Sequence, residues 1–364
     1  MPVFPRQGFL WGVGAIAAPL IGAIPAQAAT LGIGATAAQE TYYLSEFLAG
    51  RSIGTAKEAE TVDYLSQRLS SFGYTPELQP FTYTFRGQEF TSYNVIAERQ
   101  GTSSDKQIII GAHYDTAPSS ATLDRSGLEG TNDNSSGVGV LLELAERLQE
   151  NTNLTVKFVF FGAEEIGLIG SRYYANSLSP EEVRNTAVMV NLDSLVLGDK
   201  LYLHAGRGAT DKPDWFRFRD LTLEIAAEYG IAAETNPGLN PDYPAGTGCC
   251  SDLEAFDFLM PVVAAEATNW DIGDLDGYTQ TSNPAVPGGA TWHIPSLDNR
   301  EFINTVFPGL IEQRTRDYTL IFDTFIDRVD ADRTIVPEPT SFLGLVVGAG
   351  SGYLMLRRRR SAVK

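Results

Sequence analysis

The stretch IIIGAHYDT (residues 108–116), with GTNDNSSGVGVLLELAERL (130–148), FVFFGAEEIGLIGS (158–171) and VNLDS (190–194) after it, decides how this chain folds. Residues 106–111, 156–161 and 187–192 are short, apolar runs, the pattern of strands covered on both faces. Between the first two, Val138, Leu141, Leu142, Ala145 and Leu148 recur at helical spacing, with Ser135 or Ser136 as the expected N-cap. Strands alternating with helices predict a three-layer α/β domain. His113, Asp115, Asp133, Glu164, Glu165 and Asp193 all fall at or just after the ends of apolar runs. Ligands of open α/β sheets gather at the carboxyl ends of strands.

Upstream, Val62, Leu65, Leu69 and Phe72 mark one face of a helix that Gly73 stops, and 77–100 reads as two strands joined at Arg86-Gly87. Residues 29–54 are weakly patterned. Downstream the sequence predicts a short helix over 170–175, strands at 201–204 and 261–265, a helix over 218–229, and mostly helix from 298 to 330. No repeat, heptad pattern or linker divides residues 40–330, so 29–336 is read as a single domain.

Both ends read as addresses. Arg6, an apolar run from Gly8 to Ile24 and the small-x-small site Ala26-Gln27-Ala28 predict a secretory signal over 1–28, cleaved by signal peptidase. At the other end Pro337-Glu338-Pro339, an apolar segment from Ser341 to Leu356 and four arginines, Arg357 to Arg360, resemble a PEP-CTERM sorting tail over 337–364. That segment is short of the roughly 20 residues of a spanning helix. The resemblance implies transient membrane anchoring facing the periplasm, recognition by an exosortase, and release to the cell surface or outside. Setting both ends aside leaves 21 basic residues (27 minus six) and 44 acidic (45 minus one), a net charge of −23. Such a surface disfavours nucleic acid and anionic membranes. The two cysteines are adjacent, Cys249 and Cys250, and in an oxidising compartment stay as thiols or pair with each other.

The chemistry lies in the polar exits. A histidine and several carboxylates without thiols are the ligand set of a hydrolytic zinc or manganese site. Asp115 follows His113 by two, so the two face the same way and the carboxylate can hold the other imidazole nitrogen. Of Glu164 and Glu165, one can bind metal while its neighbour acts as general base. Asp193 ends an apolar run, where an aspartate is costly unless paired or bound to a cation. Taken alone, Asp133 reads as a turn or N-cap aspartate and His293 as a loop histidine.

Together, GAHYDT, GTNDNSSGVGVLLELA, FFGAEEIGLIGS, NLDS and Trp292-His293 resemble the secreted di-zinc aminopeptidases of the bacterial leucyl aminopeptidase type, in particular the branch containing the alkaline phosphatase isozyme conversion enzyme. The likeness begins at AGRSIGTAKEAETVDYLSQRLSSFGYTPELQPF (49–81) and covers about residues 40–325. It implies a mixed, mostly parallel sheet between helices and two zinc ions per chain. Carried over motif by motif, His113 and Asp193 hold one zinc, Glu165 and His293 the other, and Asp133 bridges them. Glu164 is then the general base, Asp115 orients His113, and peptide or protein N-termini are the substrate. Two departures stand out. Ser251-Asp252-Leu253 replaces the family's Ser-Asp-His, and the aspartate after His293 is displaced to Asp298.

Two rivals are a single-zinc glutaminyl cyclase on the same scaffold and a catalytically silent surface receptor, which should have lost ligands. His204 matches no metal motif and is read as structural. Asp271, Asp274 and Asp276 before Gly277 form a candidate calcium loop, although it lacks the twelfth-position glutamate of an EF-hand. The pocket walls are expected from 235–260 and 270–292.

Overall fold

The computed structural model describes residues 32–335 apart from 103–104, 121, 124, 149–151 and 333. The signal and sorting segments lie outside the described residues. Eight helices follow in chain order: α1 (Ala35–Phe47), α2 (Ala56–Ser71), α3 (Ser136–Arg147), α4 (Ile169–Ser177), α5 (Pro180–Asn185), α6 (Phe216–Glu228), α7 (Arg300–Val306) and α8 (Leu310–Ala331) among the described residues. The strands are β1 (Glu77–Phe85), β2 (Gln88–Arg99), β3 (Gln107–His113), β4 (Thr155–Phe161), β5 (Thr186–Leu192), β6 (Lys200–Ala205), β7 (Ala233–Glu234) and β8 (Val262–Thr268). They form one mixed sheet in the order β1-β2-β4-β3-β5-β8-β6-β7. Its centre, β4-β3-β5-β8, is parallel, while β1, β2 and β6 run antiparallel to neighbours.

Period-two burial explains the continuous apolar runs. Ile108, Ile110 and Ala112 of β3 pack into the large core shared with α1, α2, α3, α6 and α8, while Ile109 points into a second core with Tyr174, Leu253 and Phe256. Phe158 and Phe160 of β4 go to the first core, Val159 and Phe161 to the second. Every residue of β3 is buried. The chain leaves β3 for β4 on one side and later returns to β5 on the other. The reversal puts a crevice at the carboxyl end of β3, where such folds bind ligands.

The β1–β2 hairpin turns at Arg86 and Gly87, both with positive φ, the geometry of a two-residue loop that matches strand twist. Three local readings need correction. Residues 35–47 of the weakly patterned stretch form α1, whose buried face is mostly small or polar, Thr36, Ala37, Ala38, Glu40, Thr41 and Ser45, with Leu44 its one large apolar residue. Its first amides are satisfied by Glu143, whose carboxylate accepts from Gly34 and Ala37 at 2.7 Å each. The helix-forming signal therefore lay more than a hundred residues away. Helix α5 was also missed, although Ser179, Pro180 and Glu182 spell a capping box. Finally, neither Ser135 nor Ser136 caps α3 with its side chain; Asn134 Oδ1 accepts from Gly137 N at 3.0 Å instead.

Candidate metal centre

His113 closes β3 and is 1 % exposed. Glu164 and Glu165 follow the turn after β4, and Asp193 follows β5. Asp133 sits in a tight turn, 131–135, before α3. His293 arrives on the long loop before α7 with half its side chain exposed.

Asp133 stands between the two imidazoles. Its Oδ1 is 3.2 Å from His113 Nε2 and its Oδ2 is 3.3 Å from His293 Nε2. His113 Nε2 also lies 3.4 Å from Asp193 Oδ1, and His293 Nε2 lies 2.8 Å from Glu165 Oε2. Ligand atoms of His113, Asp133 and Glu165 come within 4.8 Å of one another, as do those of His113, Glu164 and Asp193. Glu164 thus stands closer to ligand geometry than its expected role as base alone requires.

Asp115 is fully buried, and its two oxygens accept the backbone amides of Glu164 and Glu165 at 3.0 and 3.2 Å. Its Oδ1 faces His113 Nδ1 at 3.6 Å from the side of the glutamate turn. Sequence reasoning missed Asp298, which was singled out only for its spacing. Its carboxylate accepts from Asn132 N at 2.7 Å and Asp133 N at 3.2 Å, holding the central aspartate's turn. Also missed were Asn132, whose Oδ1 accepts from Val196 N and Leu197 N just past Asp193, and Arg51. No spacing rule marks such long-range contacts.

Backbone strain gathers here. Ala163 before the glutamates, Ser194 after Asp193 and His293 itself adopt positive φ without being glycine, a conformation that collects at functional sites. Trp292 Nε1 donates to Ser194 Oγ at 2.8 Å, joining the His293 loop to the end of β5.

The electrostatics follow from crowding. Burial alone would lower His113, yet Asp193 and Glu164 hold it well above the ordinary imidazole range. Burial also opposes the charge on His293, but Asp133 and Glu165 push it up to about 11. Burial lifts Glu164 well above the carboxylate range, with Glu165, Asp252 and Asp193 adding to the rise. Burial and Asp133 raise Glu165 to about 7. So many carboxylates can share this space in ionised form only with cations among them. Glu165 Oε1 is buried without a hydrogen-bond partner, and the donor set is oxygen and imidazole. These features fit zinc.

The site opens into a cavity of about 530 Å³. Its walls include the expected loop residues Cys249, Cys250, Ser251, Asp276, Tyr278 and Trp292, joined by Leu168 and Arg172 of the β4–α4 region. Cys249 and Cys250 are bonded to each other in this wall. His204 belongs to neither ligand group; it lies in the wall with Nε2 2.9 Å from Glu266 Oε1, which also accepts from Trp270 Nε1. In the candidate calcium loop, Asp271 is ion-paired with Lys200 and Asp276 accepts from Tyr278 N. Among the described residues that loop brings together no ligand group.

Taken together, the parallel centre, the strand-end acids and the buried histidine define a metal-dependent hydrolase site at a sheet's carboxyl edge. Residues 94–304 match peptidase family M28. The chain is 40% identical over 314 residues to the alkaline phosphatase isozyme conversion protein of Escherichia coli, covering 81% of this chain and 90% of that one. It is 40% identical over 202 residues to a probable lipoprotein aminopeptidase of Mycobacterium tuberculosis, covering 54% of this chain and 34% of the relative. Its fold resembles a zinc aminopeptidase from Bacillus subtilis, with a TM-score of 0.61 at 16% identity over 80% of this chain and 94% of the other. It also resembles a glutaminyl cyclase from Porphyromonas gingivalis, with a TM-score of 0.59 at 19% identity over 81% and 98%. The chain belongs to peptidase family M28 and is an enzyme, a peptide hydrolase.

Proposed function

We propose that this protein is a zinc-dependent aminopeptidase that removes N-terminal residues from peptides with two zinc ions per chain. The observation that carries the reading is Asp133, with one carboxylate oxygen toward His113 and the other toward His293. A carboxylate so placed serves two neighbouring cations at once, and two-metal hydrolytic sites hold theirs about 3.5–4 Å apart. His113 and Asp193 would hold one ion, Glu165 and His293 the other. When bound, such ions polarise the scissile carbonyl and lower the pKa of water.

The remaining steps belong to the chain's own residues. Glu164 accepts the proton of the attacking water and returns it to the leaving amine. Its burial raises its proton affinity, which strengthens it as the base that takes the water's proton. Asp115 fixes the Glu164 and Glu165 amides and faces His113, so base and ligand keep their spacing. The cavity beside His293 receives the substrate's first residue with its free α-amine.

The completeness of the donor set favours this reading over the single-zinc cyclase and the silent receptor. Metal analysis of active protein, run beside hydrolysis and N-terminal glutamine cyclisation assays, separates them. Two zincs with hydrolysis is the expected result; one zinc with cyclisation and no hydrolysis would replace it.

Export belongs to the same proposal. The segments 1–28 and 337–364 read as a secretory signal and a sorting tail, and they support export. Mass spectrometry of secreted protein is expected to show a start near Ala29 and no Arg357 to Arg360. Secreted protein that keeps those arginines would contradict the sorting step.

A further inference from the structure

Arg51 is a fully buried arginine beneath the metal centre. Among the described residues it makes no ion pair; its fork goes to backbone carbonyls. Nε donates to Tyr114 O at 2.6 Å, Nη1 to Glu129 O at 2.7 Å and Nη2 to Gly130 O at 3.1 Å. Tyr114 follows His113 directly. Gly130 opens the turn that carries Asp133, and its carbonyl also accepts from Ser135 N at 2.9 Å, closing that turn. The guanidinium therefore bridges the two backbone segments that present the first histidine and the central aspartate.

The surrounding chain is built to admit it. Gly50 N donates to Leu128 O at 2.8 Å, and a Cβ at Gly50 would stand 2.6 Å from Ser126 Cα, so the backbone can thread there only as glycine. Gly130 has φ +56, and a Cβ on it would stand 2.4 Å from Asp133 O and 3.1 Å from Arg51 Nη2. Burying a guanidinium away from any carboxylate partner is costly. Burial lowers it to about 10, where it stays charged at neutral pH, and the charges that compensate it most are Asp298, Asp133, Asp115 and Glu165. A neutral side chain could fill this space without that cost, so loop packing alone does not account for the residue.

We propose that Arg51 is a positioning residue of the metal centre, which fixes the spacing of His113 against Asp133 through their backbones and so sets zinc affinity. It touches neither substrate nor ligand side chains. Lysine at this position would keep the charge but lose the fork, reaching at most part of the carbonyl set. Glutamine would lose both the charge and most of the donors.

The inference rests on the proposed zinc site, and its test reads zinc directly. Metal-free wild type, Arg51→Lys and Arg51→Gln are first shown to be folded by near-UV circular dichroism. Zinc is then titrated against a chromophoric chelator. Outer partners of metal ligands typically contribute about 10- to 100-fold in affinity. Both variants are expected to bind zinc weaker by about that factor, Arg51→Gln the more so because it keeps fewer of the donors. At saturating zinc, kcat is expected to fall with KM little changed. If both folded variants bind zinc as wild type does and lose only Tm, Arg51 is a packing residue and the proposal fails. If one variant does not fold, the other decides. Zinc affinity is measured without substrate, so failure of this assignment is distinct from failure of the aminopeptidase reading.

Discussion

The metal centre has two unlike halves. His113, Asp115, the glutamate turn and Asp193 stand at the ends of three adjacent parallel strands, β3, β4 and β5, whose pairing fixes their spacing. His113 and Asp115 there are buried. His293 comes from a loop a hundred residues further along than Asp193, and is half exposed. It is held through its neighbours, Trp292 on Ser194 and Arg125 on the His293 carbonyl. The sheet edge supplies ligands whose geometry is inseparable from folding, and the loop supplies one that can adjust. The strand-end half is therefore expected to bind metal more tightly and exchange it more slowly.

The largest effect should come within the strand-end half. Glu164→Gln is expected to keep both metals and to lose about 10²–10⁴-fold in kcat, because an amide cannot accept the water's proton. Glu165→Gln is expected to weaken one metal, since a neutral amide oxygen is a poorer zinc ligand. Metal titration with steady-state kinetics checks the pair; a lost metal in Glu164→Gln with both kept in Glu165→Gln would reverse the roles. The proximity of Glu164 to His113 and Asp193 makes this the most informative pair.

A second test sets the halves against each other. His293→Ala is expected to keep the ion held by His113 and Asp193 through dialysis and to leave the fold intact, whereas His113→Ala gives up that ion and keeps only the loop-side one, which dialysis strips more readily. Zinc content after dialysis reads the difference. Equal losses would dissolve the distinction between sheet and loop.

A third concerns pH. Glu165 is raised from 4.5 to about 7 and Asp298 from 3.8 to about 8, each by burial first and then by Asp133. Groups raised in the fold stabilise it below their unfolded values, and that stability is lost as pH rises through the folded ones. His293, raised from 6.5, acts in the same direction. Asp133 is lowered from 3.8, so its contribution is complete above the unfolded value and does not oppose the trend. Metal-free protein should thus weaken as pH climbs from about 5 to about 8, while zinc, which takes the place of protons, gains. The gap in Tm between zinc-loaded and metal-free protein is expected to widen over that range. A constant or shrinking gap would count against the acids being metal-linked.

The smallest effect is expected from Asp298→Asn. One amide oxygen can serve only part of the Asn132 and Asp133 pair of N–H groups, at a cost of about 1–3 kcal/mol per unsatisfied buried donor. Thermal unfolding checks the loss, and wild-type stability would remove Asp298 from the support of the turn.

The same division explains what could be read from sequence. The parallel strands were legible because burial on both faces leaves an uninterrupted apolar run, as in Ile108 to Ile110. The strand-end acids were legible because they follow such runs directly. The loop half was visible only through resemblance, since His293 alone is an unremarkable loop histidine. Residues that act through the backbone were not legible: Asp298 caps a turn 165 positions upstream and Arg51 clasps carbonyls at 114, 129 and 130. Helix α1 was hidden for a related reason, because Glu143 satisfies its start from another element and its buried face carries a single large apolar residue, Leu44.

The central claim is removal of N-terminal residues at a two-zinc centre. Its most direct measurement is hydrolysis of one peptide, with its N-terminus free or acetylated, by metal-free protein during zinc titration. Activity on the free peptide is expected to rise to a plateau at two zincs per chain, with the acetylated peptide left intact. Equal cleavage of both peptides, or full activity in protein shown to hold no metal, would contradict the account.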